Sequence, residues 1–156
     1  MNITDIIVPE RVACDIDASS KKRALEKISD IIASDDTSHL AAQDVVDSLI
    51  AREKLGSTGI GSGVAIPHGR LKNSDKTIAA FLQLHHGIDY DAIDDQDVDL
   101  MFALLVPEHS TDEHLQILAE LAEMFSHEEI REKLRQTKDN QQICDLLTHW
   151  KKYVEY

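Results

Sequence analysis

The chain has 156 residues, 42% hydrophobic and 29% charged, with 16 basic against 29 acidic side chains and a formal charge of −13. That is one domain by size, large enough for a proper core, and its acidic excess argues against nucleic acid and anionic membrane as partners, since both reward positive charge. No window approaches eighteen apolar residues, and the opening MNITDIIVPERV lacks the basic-then-apolar form of a signal peptide, so a cytoplasmic protein without direct membrane insertion is expected.

Ile3, Ile6, Ile7 and Val8 make a short apolar patch broken by Pro9, and a strand is predicted near 12–16. Ser19 or Ser20 can cap a helix with Leu25, Ile28, Ile31 and Ile32 on one face. The polar run 34–38 reads as a loop. A second helix, about 42–54, buries Val45, Val46, Leu49 and Ile50 and runs into Gly56, which can stop it. Cys14 and Cys144 are a distant pair without metal-type spacing and read as reduced core thiols.

Five of the six glycines and one of the three prolines fall in GSTGIGSGVAIPHGR, residues 56–70. Glycine lets N–H groups approach a ligand closely, and Val64-Ala65-Ile66 followed by Pro67-His68-Gly69 reads as a buried strand ending in a stiff bend, with an imidazole at its tip. These residue types suit an anion held beside a histidine; the bland alternative is a glycine-rich turn followed by an incidental histidine. A nucleotide P-loop is excluded because no Gly-Lys-Ser/Thr is present. The dinucleotide fingerprint fails because the glycines lead into a strand, not a helix.

Beyond a polar turn at 72–76, TIAAFLQL (77–84) and VDLMFALLV (98–106) are predicted strands, the second apolar enough to be central in a sheet. Six aspartates lie between Asp89 and Asp99. Ile93, Asp94 and Leu100 stand where a calcium loop needs other residues, so a solvated acidic turn is expected. Capping boxes are predicted at Ser110/Glu113, Ser126/Glu129 and Asp139/Gln142, each opening a helix. The pattern gives one α/β domain over residues 1–156, with a mixed, parallel and antiparallel sheet of about five strands and helices on both faces.

Among eight histidines, His39, His127 and His149 read as surface residues. His109 and His114, five apart, would lie roughly 140° apart around a helix, and with no HExxH or paired cysteines a metal site is not expected. His114 has two readings, a core-edge histidine or a donor near a helix N-terminus, where an anion is favoured. Arg52 can offset the dipole of the second helix or clamp a phosphoryl group with its planar guanidinium. Ser57 and Thr58 are hydroxyl donors or turn residues.

Glu53, Ile60-Gly61 and Val64-Ala65-Ile66-Pro67-His68-Gly69 resemble the phosphohistidine signature of the fructose/mannitol-type IIA proteins of the bacterial phosphotransferase system, and AREKLGSTGIGSGVAIPHGRL with YDAIDDQDVDLMFALLVP is most similar to the nitrogen-related branch, the IIA-Ntr (PtsN) proteins. The resemblance covers about residues 21–147. It implies an α/β sandwich and a phosphocarrier whose His68 takes a phosphoryl group, as a tele-phosphohistidine, from an HPr-like carrier protein (NPr). It implies Arg52 and His114 as active-site partners, beside phosphoryl-binding positions at Ser57, Thr58, Gly61, Gly63 and Gly69. No metal, nucleotide or other cofactor is implied. The nitrogen-related branch is regulatory, its phosphorylation state altering binding to protein targets linked to nitrogen metabolism and potassium transport. Sugar-transporting relatives instead pass the phosphoryl group to a IIB domain. A third reading, a hydrolase with His68 as nucleophile, needs a general base that the sequence does not name.

Overall fold

The computed structural model describes residues 2–35, 37–72, 74–110 and 113–154, Glu113 by its backbone only. In chain order the elements are β1 (Val12–Ile16), α1 (Lys21–Ser34), α2 (Ala42–Glu53), β2 (Gly59–Gly61), β3 (Val64–Ala65), β4 (His68–Leu71), β5 (Ile78–Ile88), β6 (Val98–Pro107), α3 (Glu113–Ser126), α4 (Glu128–Gln136) and α5 (Asn140–Thr148). Short 3₁₀ turns at Ile3–Asp5, Pro9–Arg11 and Trp150–Tyr153 complete the described chain.

The most apolar run of the sequence becomes the centre of the sheet. β6 pairs antiparallel with β5 and parallel with both β3 and β4; β1 lies parallel on the far side of β5, and β2 hangs antiparallel on β3. The two-residue period of a strand then sorts side chains to opposite faces. Ala79, Phe81, Phe102 and Leu104 join the core beneath α3, α4 and α5, with Ile117, Leu121, Ile130, Ile143 and Trp150. Ala80, Leu82, Met101 and Ala103 join Leu25, Ile28, Val45 and Leu49 of α1 and α2. The expected mixed α/β sheet between two helical layers is present.

Among the described residues the sheet has six strands, one more than the approximate five expected. Gly59–Gly61 folds back on Val64–Ala65, and His68–Leu71 forms a separate strand on β6 instead of a bend. The strand predicted to stop at 84 continues to Ile88. Ser20 caps α1 by accepting from the Arg23 N–H, and Asp139 caps α5 by accepting from the Gln142 N–H. Ser126 does not cap α4: it is the last residue of α3, its hydroxyl donates to the Glu123 carbonyl, and His127 occupies the N-cap position without a side-chain capping bond to the helix. The Glu113 side chain of the predicted Ser110/Glu113 capping box lies outside the described residues. Among the described residues, no helix is long and apolar enough to cross a membrane.

Candidate active site

The site grows from the packing of α2 on β4. A Cβ added at Gly69 would collide with Ser48 Oγ and lie 3.1 Å from the Ser48 carbonyl oxygen, so only glycine lets the helix come this close. Ser48 Oγ then donates to the Arg70 carbonyl, 2.9 Å away. Arg52 stands one helical turn beyond Ser48 on the same face, which brings its guanidinium over the start of β4 and His68. Gly69→Ala is expected to cost about 1–3 kcal/mol, as over-packing of a close contact does, and thermal melts check it.

His68 is half-buried and oriented at both nitrogens. Its Nδ1 lies 2.9 Å from the Ile66 carbonyl oxygen, which can only accept, so Nδ1 carries the proton. The lone pair is therefore on Nε2, where Arg52 Nε–H donates to it at 3.2 Å. Burial lowers the His68 pKa below its ordinary 6.5; the Ile66 hydrogen bond opposes this, while the charges of Arg52 and His114 add to the lowering. The imidazole is thus held neutral with its nucleophilic nitrogen defined. In the unfolded chain His68 binds a proton more readily, so its contribution to stability falls as pH drops through 6.5 and levels off below its folded pKa. In an NMR titration His68 is expected below 6.5 and His85, hydrogen-bonded to Asp15, above it.

Arg52 has a second partner, since its Nη1 donates to the Gly56 carbonyl at 2.8 Å. It fastens the turn after α2 and reaches His68 at the same time, so the two readings of Arg52 are not exclusive. Arg70, two residues beyond His68 on β4, follows it on the same face of the strand. Its Nη1 donates to the carbonyls of Glu108 and Ser110 at 2.9 and 2.8 Å, and its Nη2 lies 3.5 Å from His114 Nε2. His68, Arg52, Arg70, His114 and Gly69 share one cleft of about 450 Å³, with Ser48, Ala51, Leu55, Leu104 and Val106.

The other expected positions lie elsewhere, each already engaged. Ser57 Oγ donates to the Tyr90 carbonyl and accepts the Gly59 N–H, at 2.9 and 3.1 Å. Thr58 gives both its N–H and its hydroxyl to Glu53. Glu53, with a side chain only 6% exposed, also accepts from the Tyr90 hydroxyl and pairs with Lys21 Nζ at 3.1 Å. Burial, and the Glu53 charge after it, push the Tyr90 hydroxyl pKa far up. Gly61 (φ +102°) sits against Asp94, and Gly63 (φ +80°) against Arg135 and Asp99. These two glycines serve the β2–β3 turn and its contacts with α4 and the acidic segment, and neither lines the cleft.

Sequence reasoning did not single out Arg70 or Ser48. Two periodicities could have found them: i, i+2 from His68 along a strand, and i, i−4 from Arg52 along a helix. Among the described residues no cluster of three His, Cys, Asp or Glu side chains could hold a metal ion.

A neutral imidazole bonded to one guanidinium, in a cleft that a second guanidinium also lines, is chemistry for an anionic group, and the comparisons with known proteins name the class. Residues 5–150 match the family described as "Phosphoenolpyruvate-dependent sugar phosphotransferase system, EIIA 2", and the chain belongs to it. Within that family the nitrogen regulatory protein of Pseudomonas aeruginosa is 43% identical over 135 residues, covering 86% of this chain and 87% of that protein. The "PTS system fructose-specific EIIA component" of Haloferax volcanii is 36% identical over 151 residues, covering 94% and 97%. Among solved structures, nitrogen regulatory protein IIA-Ntr from Neisseria meningitidis superposes with a TM-score of 0.87 at 40% identity, covering 94% of this chain and 99% of that one. The expected likeness to the nitrogen-related branch stands on these matches.

Proposed function

We propose that the protein is a regulatory phosphocarrier that accepts a phosphoryl group on His68 Nε2 from a phosphohistidine of an HPr-like carrier. The observation that carries this reading is the tautomer of His68, with Nδ1–H committed to the Ile66 carbonyl and the lone pair on Nε2. As Nε2 bonds phosphorus, the bond from phosphorus to the donor imidazole breaks and its electrons return to that ring. No proton has to move on this chain. Arg52 Nε–H, released from the lone pair, can turn to a phosphoryl oxygen, and fixed donors aimed at developing charge are the main contribution a protein makes to such a transfer. The Ile66 carbonyl keeps Nδ1 protonated in the product, which keeps the phosphorylated Nε2 a good leaving group for onward transfer.

A protein partner suits the rim of the cleft. Leu55 lines it at 84% exposure, so a large apolar side chain stands free beside a polar centre. The whole chain acts as one EIIA type-2 domain in the cytoplasm, where the carrier and protein targets of nitrogen and potassium regulation would meet it. The nitrogen regulatory names of its relatives favour this use of the phosphorylation state. A second reading, transfer to a IIB domain for sugar uptake, is favoured by the fructose-specific relative. Incubation with phosphorylated carrier separates the readings: a stable phosphoprotein supports the first, phosphoryl passage to an added IIB domain the second, and steady phosphate release a hydrolase.

His114→Ala is expected to slow acceptance without abolishing it, because His114 supports the phosphoryl group and does not bond to it. Loss of one hydrogen bond to a charged group costs about 1.5–3 kcal/mol, a slowing of roughly ten- to two-hundred-fold. Rapid-quench transfer from phosphorylated carrier measures it, and unchanged kinetics would leave His114 a core-edge residue.

A further inference from the structure

The connection from β6 to α3 is laid along β4. β6 and β4 pair in parallel up to Leu71 opposite Pro107, and the Glu108 N–H then donates to the Leu71 carbonyl at 2.9 Å. Beyond that point the strands part, and Arg70 takes over. Its Nη1 holds the Glu108 and Ser110 carbonyls together, while Nη2 faces His114 Nε2 at 3.5 Å. One guanidinium therefore touches both the segment leading into α3 and the histidine near the start of that helix. The side chain is otherwise exposed, so burial does not account for its placement. A lysine ammonium could take the two carbonyls, but it lacks the planar fork that presents a second nitrogen to a third group.

We propose that Arg70 is a positioning residue that clamps the connection after β6 and so sets His114 against His68, an assignment that rests on His68 being the phosphoryl acceptor. Arg70 acts on transfer through His114. Its influence is then spent once His114 is gone, whereas a residue gripping the phosphoryl group independently would keep its effect.

The test uses the full-length chain as wild type, Arg70→Lys, Arg70→Gln, His114→Ala and the Arg70→Lys/His114→Ala double variant. In unphosphorylated, histidine-labelled protein, the ring signals of His114 are expected to shift in both Arg70 variants, while those of His39 and His149, outside the cleft, stay in place. Transfer from phosphorylated carrier should be roughly tenfold slower in Arg70→Lys, the scale of one hydrogen bond to a charged group. In the His114→Ala background the same change should cost less than about twofold, because groups acting as one unit are not additive. Unmoved His114 signals, or rate losses that multiply in the double variant, would overturn the proposal. If wild type takes no phosphoryl group at all, the phosphocarrier reading fails, and the His114 signals still decide whether Arg70 positions that ring.

Discussion

His68→Ala is expected to abolish phosphoryl acceptance outright, the largest effect of any single substitution in the cleft. Every other contact there offers a hydrogen bond or a charge, and each can be lost with the reaction still running slowly. The Nε2 lone pair forms the bond itself, and alanine has nothing to replace it. In wild type the modification should be acid-labile and alkali-stable, as a phosphoramidate is, and should map to His68. His114 is the internal control, because it lines the same cleft. Label on His68→Ala would show that a second histidine can act as nucleophile, and the assignment of His68 as sole acceptor would fall. The substitution removes the hydrogen bond to the Ile66 carbonyl, so a melting curve must accompany the assay to show a folded protein.

How much of this cleft was legible beforehand depended on the kind of signal each residue carries. His68 stands out because Pro67 and Gly69 flank it directly, just after four closely spaced glycines, and such residues mark a backbone with a special task. Arg52 and His114 are picked out only with the help of the family resemblance, since a helix-terminal arginine and a helix-edge histidine are individually commonplace. The glycines have packing tasks that composition does not reveal. Gly61 and Gly63 are needed where the β2–β3 turn meets Asp94, Asp99 and Arg135, and Gly69 where α2 meets β4; composition does not distinguish a glycine that admits a neighbouring side chain from one that admits a ligand. Arg70 was hidden by the same punctuation. Pro67 and Gly69 argue against a strand and so mask the alternation that pairs His68 with Arg70, although a four-residue strand forms there on β6. The false cap at Ser126 has a similar origin, because a serine followed by a glutamate three residues on fits both the end of one helix and the start of the next. The fold was easier. Two long apolar strands and several helices with one apolar face leave few arrangements that bury them all.

Arg52 gives the second large effect, and two substitutions separate its roles. The guanidinium bridges the Gly56 carbonyl through Nη1 and His68 Nε2 through Nε, so it fastens the end of α2 and touches the nucleophile. If fastening were its whole task, Arg52→Lys would be nearly silent, since either cation suits a helix C-terminus and an ammonium can donate to one carbonyl. If Arg52 also receives the phosphoryl oxygens, lysine keeps the charge but loses the fork, and transfer falls while folding holds. Arg52→Gln should be worse, because it keeps donors but removes the charge that the transferring group meets. The expected loss is roughly 10²- to 10³-fold, the scale for removing one fixed donor aimed at developing charge. Transfer rates from phosphorylated carrier for wild type, Arg52→Lys and Arg52→Gln, each with its melting temperature, decide the matter. Equal rates in all three would remove Arg52 from the chemistry. A rate loss that merely tracks the melting temperature would leave it a fastening for the turn at Gly56.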